Sequence, residues 1–200
     1  MYYFMGLVST DGYIDTKNNR ISIRLRNEGA KELLESLKDY FEFSGNLRVY
    51  RGKDYDLTIT SNELISFLES NGIKGKNKTF EVKALNYFPN EDCVRMYLRG
   101  VLDGDGNIHL IIKDSKLKSG EFRLVTASND FMTGIQSIFS KYLNIIVPIK
   151  THNIKGSTYP LISLSMKDSR LFYRWVYKGF SNLRLKDKFE KAKMIVEDIV

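Results

Sequence analysis

The chain has 200 residues, 42% of them hydrophobic, enough apolar material for a core in one large or two small domains, and its 31 Lys and Arg against 24 Asp and Glu leave a formal charge of +7. That excess suits a polyanionic partner. A lone Cys93 excludes a disulfide framework, no apolar run approaches the roughly 20 residues of a membrane span, and no basic segment followed by an apolar one stands at the amino terminus; no secretory signal, and an intracellular, reducing compartment with no membrane partner, are expected.

In chain order, Phe4-Met5-Gly6-Leu7-Val8-Ser9-Thr10-Asp11-Gly12 predicts an apolar helix ending at a carboxylate. A short strand, Tyr13 to Asp15, leads to an alternating one, Arg20 to Arg26. There Ile21, Ile23 and Leu25 take one face, leaving Arg20, Ser22, Arg24 and Arg26 on the other. Ala30, Leu33, Leu34, Leu37 and Phe41 recur at helical spacing behind the N-cap candidate Asn27. Leu47 and Val49 leave Arg48 and Arg51 for the opposite face or the strand end. Leu57 to Thr60 runs into Ser61 to Leu68, and a basic turn with a closing helix over Lys74 to Asn86 completes a first half, residues 1–88. Residues 89–92, Pro-Asn-Glu-Asp, are too short for a flexible tether.

Residues 93–200 repeat the pattern. Leu98-Arg99-Gly100-Val101-Leu102-Asp103-Gly104-Asp105-Gly106 matches the first segment, with Gly third and Asp-Gly last in both. Asn107 to Lys113 alternates, with Ile108, Leu110 and Ile112 opposite His109 and Lys113. Glu121 to Thr126, carrying Arg123, is the next strand. Ser128 is the N-cap candidate for a helix through Phe131, Ile135, Ile138, Phe139 and Tyr142. Lys150, His152 and Lys155 add basic character before Ile162 to Ser165 runs into Met166 to Phe172, and Arg184 to Val200 closes the half. The expected fold is α+β: a duplicated helix-strand-strand-helix-strand-strand-helix unit with a pseudo-twofold axis. Two antiparallel, saddle-like sheets flank the motif helices at the central interface. The first motif starts three residues after Met1, so its helix is expected to be the shorter. The chain ends on no splicing-type Cys or His-Asn, so an intein origin is not expected.

If the two apolar helices pack together, Gly6 and Gly100 allow their backbones to approach closely. Asp11 and Asp105 then meet at helix carboxyl ends, where partial negative charge invites a cation. Mg²⁺ binds through one or two carboxylates plus phosphate and water oxygens, and such ions activate water and stabilise the leaving oxygen of a phosphodiester. One Asp-Gly is an ordinary turn; two, each behind the same apolar run, are not. Asp103, Asp105 and Asn107 have calcium-loop spacing, but Ile108 stands where an EF-hand needs Gly. Arg-rich ribbons suit a DNA major groove, against the plainer reading of a solvated sheet face. Lys76 and Lys186 hold equivalent places in the closing segments, either as ordinary lysines at helix starts or as ammonium groups serving a phosphate.

The two segments resemble the LAGLIDADG motifs of homing endonucleases in the single-chain form that carries both copies, and the similarity spans essentially the whole chain. The second copy is the closer match; the first has Ser9 at the motif's first acid and Thr10 at its small residue. The resemblance implies metal-binding acids at Asp11 and Asp105, with the carbonyls of Thr10 and Gly104 as further ligands and Mg²⁺, two or more ions, as cofactor. It implies active-site lysines at Lys76 and Lys186 and polar residues near the cleavage position at Asn27 and Ser128. The implied activity is double-strand cleavage across the minor groove of a long, asymmetric DNA target by a monomer. Arg20, Ser22, Arg24, Arg26, Arg48 and Arg51 in one half, and His109, Lys113, Arg123, Lys150, His152 and Lys155 in the other, are the expected DNA contacts. The alternatives are an RNA-splicing maturase that binds intron RNA on the same scaffold and a DNA-binding protein without catalysis.

Overall fold

A computed structural model of the chain describes residues 1–26, 29–50, 52, 54–75, 78–179 and 182–197. The first half runs α1 (Tyr2–Asp11), β1 (Gly12–Asp15), β2 (Arg20–Arg26), α2 (Ala30–Tyr40), β3 (Asn46–Tyr50), β4 (Asp54–Thr60), α3 (Asn62–Ser70) and α4 (Lys78–Glu81). The second runs α5 (Glu91–Asp103), β5 (Gly106–Lys113), β6 (Lys116–Val125), α6 (Asn129–Leu143), β7 (Lys150–Ile154), β8 (Ser157–Ser163), α7 (Met166–Val176) and α8 (Lys186–Glu197). The two four-stranded antiparallel sheets have matching orders, β1-β2-β4-β3 and β5-β6-β8-β7. None of the described helices is long and apolar enough to cross a membrane.

Alternation decides which face of each sheet is covered. In β2, Ile21, Ile23 and Leu25 are buried, as are Leu57 and Ile59 of β4, and α1, α2 and α3 pack in contact with these two strands. In the second sheet Ile108, Phe122, Leu124 and Ile162 play the same part beneath α6, α7 and α8. The polar side of each ribbon is left uncovered by helices.

The halves meet along α1 and α5. Every residue from Tyr3 to Ser9 is buried, which is why α1 is apolar all round rather than striped. A Cβ on Gly6 would lie 2.1 Å from the Tyr97 carbonyl oxygen, and one on Gly100 would lie 2.1 Å from that of Tyr3. The two contacts are related by the pseudo-twofold. Two tyrosines brace the crossing: Tyr3 donates from its hydroxyl to Asp103 Oδ2 at 2.8 Å, and Tyr97 meets the Ser9 hydroxyl. Arg99, also buried, donates from Nε and Nη2 to the carbonyl of Val176, fastening α5 to the carboxyl end of α7.

One element differs from expectation. The closing helix predicted over Lys74 to Asn86 is a single turn, α4, and the chain from Val82 to Phe88 has no regular structure. Its backbone is claimed by the other half: Val82 O accepts from Ser128 Oγ at 2.6 Å, and Leu85 N donates to Tyr97 Oη at 3.4 Å. Pro89 also disfavours helical backbone at Phe88. The segment straps the first half to α6, and α5 begins at Glu91 behind its N-cap Asn90.

Replacing Gly100 with Leu should push α1 and α5 apart, at a cost of about 1–3 kcal/mol or more. At roughly 2–4 °C per kcal/mol for a chain this size, the melting temperature should fall by several degrees. A variant melting at the wild-type temperature would show that the crossing is not held by the glycine.

Candidate functional site

The carboxyl ends of α1 and α5 emerge side by side. Gly104, just past α5, abuts the Thr10 side chain so closely that a Cβ there would sit 1.9 Å from Thr10 Oγ1 and 3.4 Å from Asp11 Oδ2. Two clefts open at this junction. The first, of about 470 Å³, is lined by Asp11 with Arg24, Leu25, Arg26 and Asp54 of its own half and by Asp103, Gly104, Leu185 and Lys188 of the other. The second, of about 260 Å³, places Asp105 and residues 125–127 of its own half against Ser9, Thr10, Thr79 and Val82. Each acid therefore faces the motif-helix end of the opposite half.

The electrostatics centre on Lys188. Its Nζ donates to the carbonyl oxygens of Leu102 at 2.9 Å, Asp103 at 2.7 Å and Gly104 at 2.7 Å. An ammonium thus sits on the negative end of α5. Burial pushes the Lys188 ammonium down, against the opposing pull of Asp103, Asp11, Asp187 and Asp105. Burial likewise raises the Asp103 carboxyl to about 7, despite the Tyr3 hydroxyl, Lys188 and the Leu185 N–H that favour its charge. Asp103 Oδ1 is buried and has no hydrogen-bond partner among the described residues.

Lys188 is the residue that sequence reasoning missed. Lys186, two positions earlier, is exposed at the start of α8, its backbone and Cβ against Gly29, and it does not line the Asp11 cleft. Only the registration of α8 on α5 separates the two lysines. Ser128 also differs from expectation: it is fully buried, caps α6 by accepting from Phe131 N at 3.1 Å, and donates to Val82 O. Its hydroxyl is committed to the strap between the halves. Asn27, Arg51 and Lys76 lie outside the described residues.

The remaining expected contacts stand on the uncovered sheet faces. Cross-strand rows set Arg20 opposite Thr60, Ser22 opposite Thr58, and Arg24 and Arg48 on either side of Asp56. A groove of about 480 Å³ runs over Arg20, Ser22, Arg24, Arg48 and Asp56. On the second sheet His109 stands opposite Glu121, and Lys150 and His152 stand opposite Leu161 and Tyr159. Lys113 sits at the β5–β6 hairpin end and Lys155 in the β7–β8 turn, both exposed. The acids Asp54, Asp56 and Glu121 on these faces were not singled out from the sequence, although Asp54, Asp56 and Thr58 alternate with Tyr55, Leu57 and Ile59 and so betray a polar face.

Among the described residues no group of three Asp, Glu, His or Cys side chains could hold a metal ion by itself. The donors present, two carboxylates and helix-end carbonyls, fit a hard cation that completes its shell with water and phosphate oxygens. The Gly104 carbonyl, expected as a metal ligand, instead accepts from the Lys188 ammonium at 2.7 Å, so the chain's own cation holds that position.

This architecture is the LAGLIDADG fold in its single-chain, two-motif form. The homing endonuclease I-AabMI bound to uncleaved DNA superposes with a TM-score of 0.65 over 98% of this chain and 88% of its own, at 13% identity. I-WcaI bound to its DNA recognition sequence gives 0.62 over 94% and 84%, at 17% identity. Full-length DUF199/WhiA from Thermatoga maritima gives 0.63 over 98% and 58%, also at 17% identity. No protein-family model matches the chain. Among curated proteins, glutamine–fructose-6-phosphate aminotransferase [isomerizing] of Methanocaldococcus jannaschii is 28% identical over 96% of the chain but only 17% of its own length. The replication factor C small subunit of the same organism is 26% identical over 62% of the chain and 7% of its own length. The chain thus spans a small fraction of each relative.

The Asp103 shift has a consequence for stability. Its folded value lies above the ordinary 3.8, so between about 4 and 7 the folded state holds a proton that the unfolded state has lost. This contribution is complete below the ordinary value and is lost as pH rises towards about 7. In chelator-treated protein, Asp103→Asn should remove that part of the decline. Thermal melts of both proteins from pH 4 to 8 check it, and parallel curves would show that Asp103 is charged throughout.

Proposed function

We propose that the chain is a site-specific, metal-dependent DNA endonuclease that hydrolyses both strands of a long, asymmetric duplex as a monomer. The observation that carries this reading is the pair of clefts, each with one motif acid facing the opposite half's helix end. The uncovered, basic sheet faces to either side, the first of which begins at the edge of the Asp11 cleft with Arg26 and Arg24, would bind the flanking major grooves, with the minor groove centred between the two clefts. DNA-bound neighbours of the same fold support the partner.

Asp11 and Asp105, with the carbonyl of Thr10, would hold Mg²⁺, which when bound supplies an activated water and charge neutralisation at the phosphate. The chain's own groups do the rest. Lys188, anchored on three carbonyls, places a positive charge at the cleft where phosphate charge develops. The paired helix ends would offer one acid to each strand, so that one body could serve both.

The curated relatives support a mobile origin. An aminotransferase and a replication factor subunit do unrelated work, and the matched segment is a minor part of each. A segment shared by such proteins behaves as a module that moves between genes, as a homing element does. The fold also occurs in WhiA, so fold alone does not carry the chemistry. The alternative is therefore a protein that binds DNA or an intron RNA without cutting, and the acids decide between them.

Asp11→Asn and Asp105→Asn should each abolish double-strand cleavage in Mg²⁺ while duplex binding persists. Cleavage selection from a randomised duplex library, followed by binding and cutting assays on the recovered site, measures both. Full cutting by either variant removes that acid from the site. On the same substrate Lys188→Met should slow cleavage by about a hundredfold or more, the size typical for loss of an electrostatic stabiliser, and Lys186→Met should leave it near wild type. The reverse order would return the role to Lys186.

A further inference from the structure

A surface meant for a polyanion gains nothing from carboxylates, yet both uncovered sheet faces carry them beside their arginines. Asp54 and Asp56 are only 5% and 9% exposed. Asp56 Oδ2 accepts from Arg24 Nε at 3.1 Å and Nη2 at 2.9 Å, while its Oδ1 accepts from Thr58 Oγ1 at 3.0 Å. Asp54 takes Arg26 as a fork, Nε on Oδ1 at 2.7 Å and Nη2 on Oδ2 at 3.1 Å. On the second sheet Glu121 accepts from Arg123 Nη2 on one oxygen and from Ser163 Oγ on the other. Each arginine reaches outward from a sunken acid: side-chain exposures are 52% for Arg24, 73% for Arg26 and 42% for Arg123, against 13%, 7% and 21% for their partners.

A sunken carboxylate needs a partner for its charge, but not one that projects 42–73% exposed on a face meant for a polyanion. Geometry explains the choice. A guanidinium is a rigid planar fork of five donors, and a carboxylate gripping one side fixes the plane and direction of the rest. An arginine reads guanine only if its fork meets O6 and N7 together. An unrestrained side chain would find phosphates as readily as bases.

We infer that Asp54, Asp56 and Glu121 are specificity determinants of the DNA interface, each orienting one arginine towards a guanine at a fixed position of the target. The inference rests on the DNA-binding reading above. It makes these acids positioning residues that act through Arg26, Arg24 and Arg123. It also divides them between the half-sites, two in the one read by the first sheet and one in the other.

The test is selection of bound duplexes from a randomised library by wild type, Asp56→Asn, Arg24→Ala and the double variant, with Asp54→Asn and Glu121→Gln alongside. Wild type should show a guanine preference at three positions. Asp56→Asn should lower one of them on the order of tenfold, in the first half-site only. Arg24→Ala should erase the same preference, and the double variant should lose no more than Arg24→Ala alone. Glu121→Gln should act in the opposite half-site. If the acid variants tighten all sequences equally with an unchanged base profile, the acids act only as bulk charge and the inference falls. A shift in melting temperature with an unchanged profile overturns it as well, by making the pairs structural. A wild type that selects no duplex overturns the DNA reading and this inference together, whereas a wild type that selects and cuts a site while all three acid variants keep its profile overturns this inference alone.

Discussion

The structure depends on one steric condition: two helix backbones must cross at a distance that no side chain permits. Gly6 and Gly100 meet it, each lying against the carbonyl of the tyrosine that precedes the partner motif. Because α1 and α5 cross there, their carboxyl ends emerge together, and because each sheet follows directly from its helix, both ribbons are set by the same crossing. A half-ångström change at the glycines would be transmitted to the acids and to the sheets, since packed interiors pass strain on rather than absorb it.

Bringing two helix carboxyl ends together concentrates negative potential. The chain answers it from within, through the Lys188 ammonium on three carbonyls of α5, and leaves Asp103 raised to about 7 by burial beside it. Asp11 and Asp105 line the two clefts at this junction and add to that negative potential. Charge in the site and shape in the fold thus have the same origin in the helix crossing.

Much of this could be read from the sequence because it is periodic. The duplicated apolar run, the Gly in its third place, and the alternation of Ile21, Ile23 and Leu25 with arginines are local signals that tertiary contacts did not override. What was not legible depends on contacts between distant segments. Lys186 and Lys188 are equally plausible from their order alone; which one reaches α5 depends on how α8 is seated. The pattern from Lys74 to Asn86 looks helical, but Val82 O and Leu85 N are taken by Ser128 and Tyr97 of the other half. Ser128 was correctly placed as an N-cap, yet its second bond, to Val82, could not be foreseen and decides where its hydroxyl is used.

The braces beneath the crossing are unlike: Tyr3 meets a carboxylate, Asp103, where Tyr97 meets the Ser9 hydroxyl. A second half pairing with another second half would place two Asp103 side chains in one interface, each with its carboxyl raised by burial and each facing a Tyr97 instead of Tyr3. A first half pairing with its like would give both Asp11 residues a partner helix end with no lysine from α8. The halves are therefore distinguishable at their own seam. Divergence at a single motif position thus marks each side of the crossing, so that exchanging one half for a copy of the other would change the chemistry of the seam as well as that of the site.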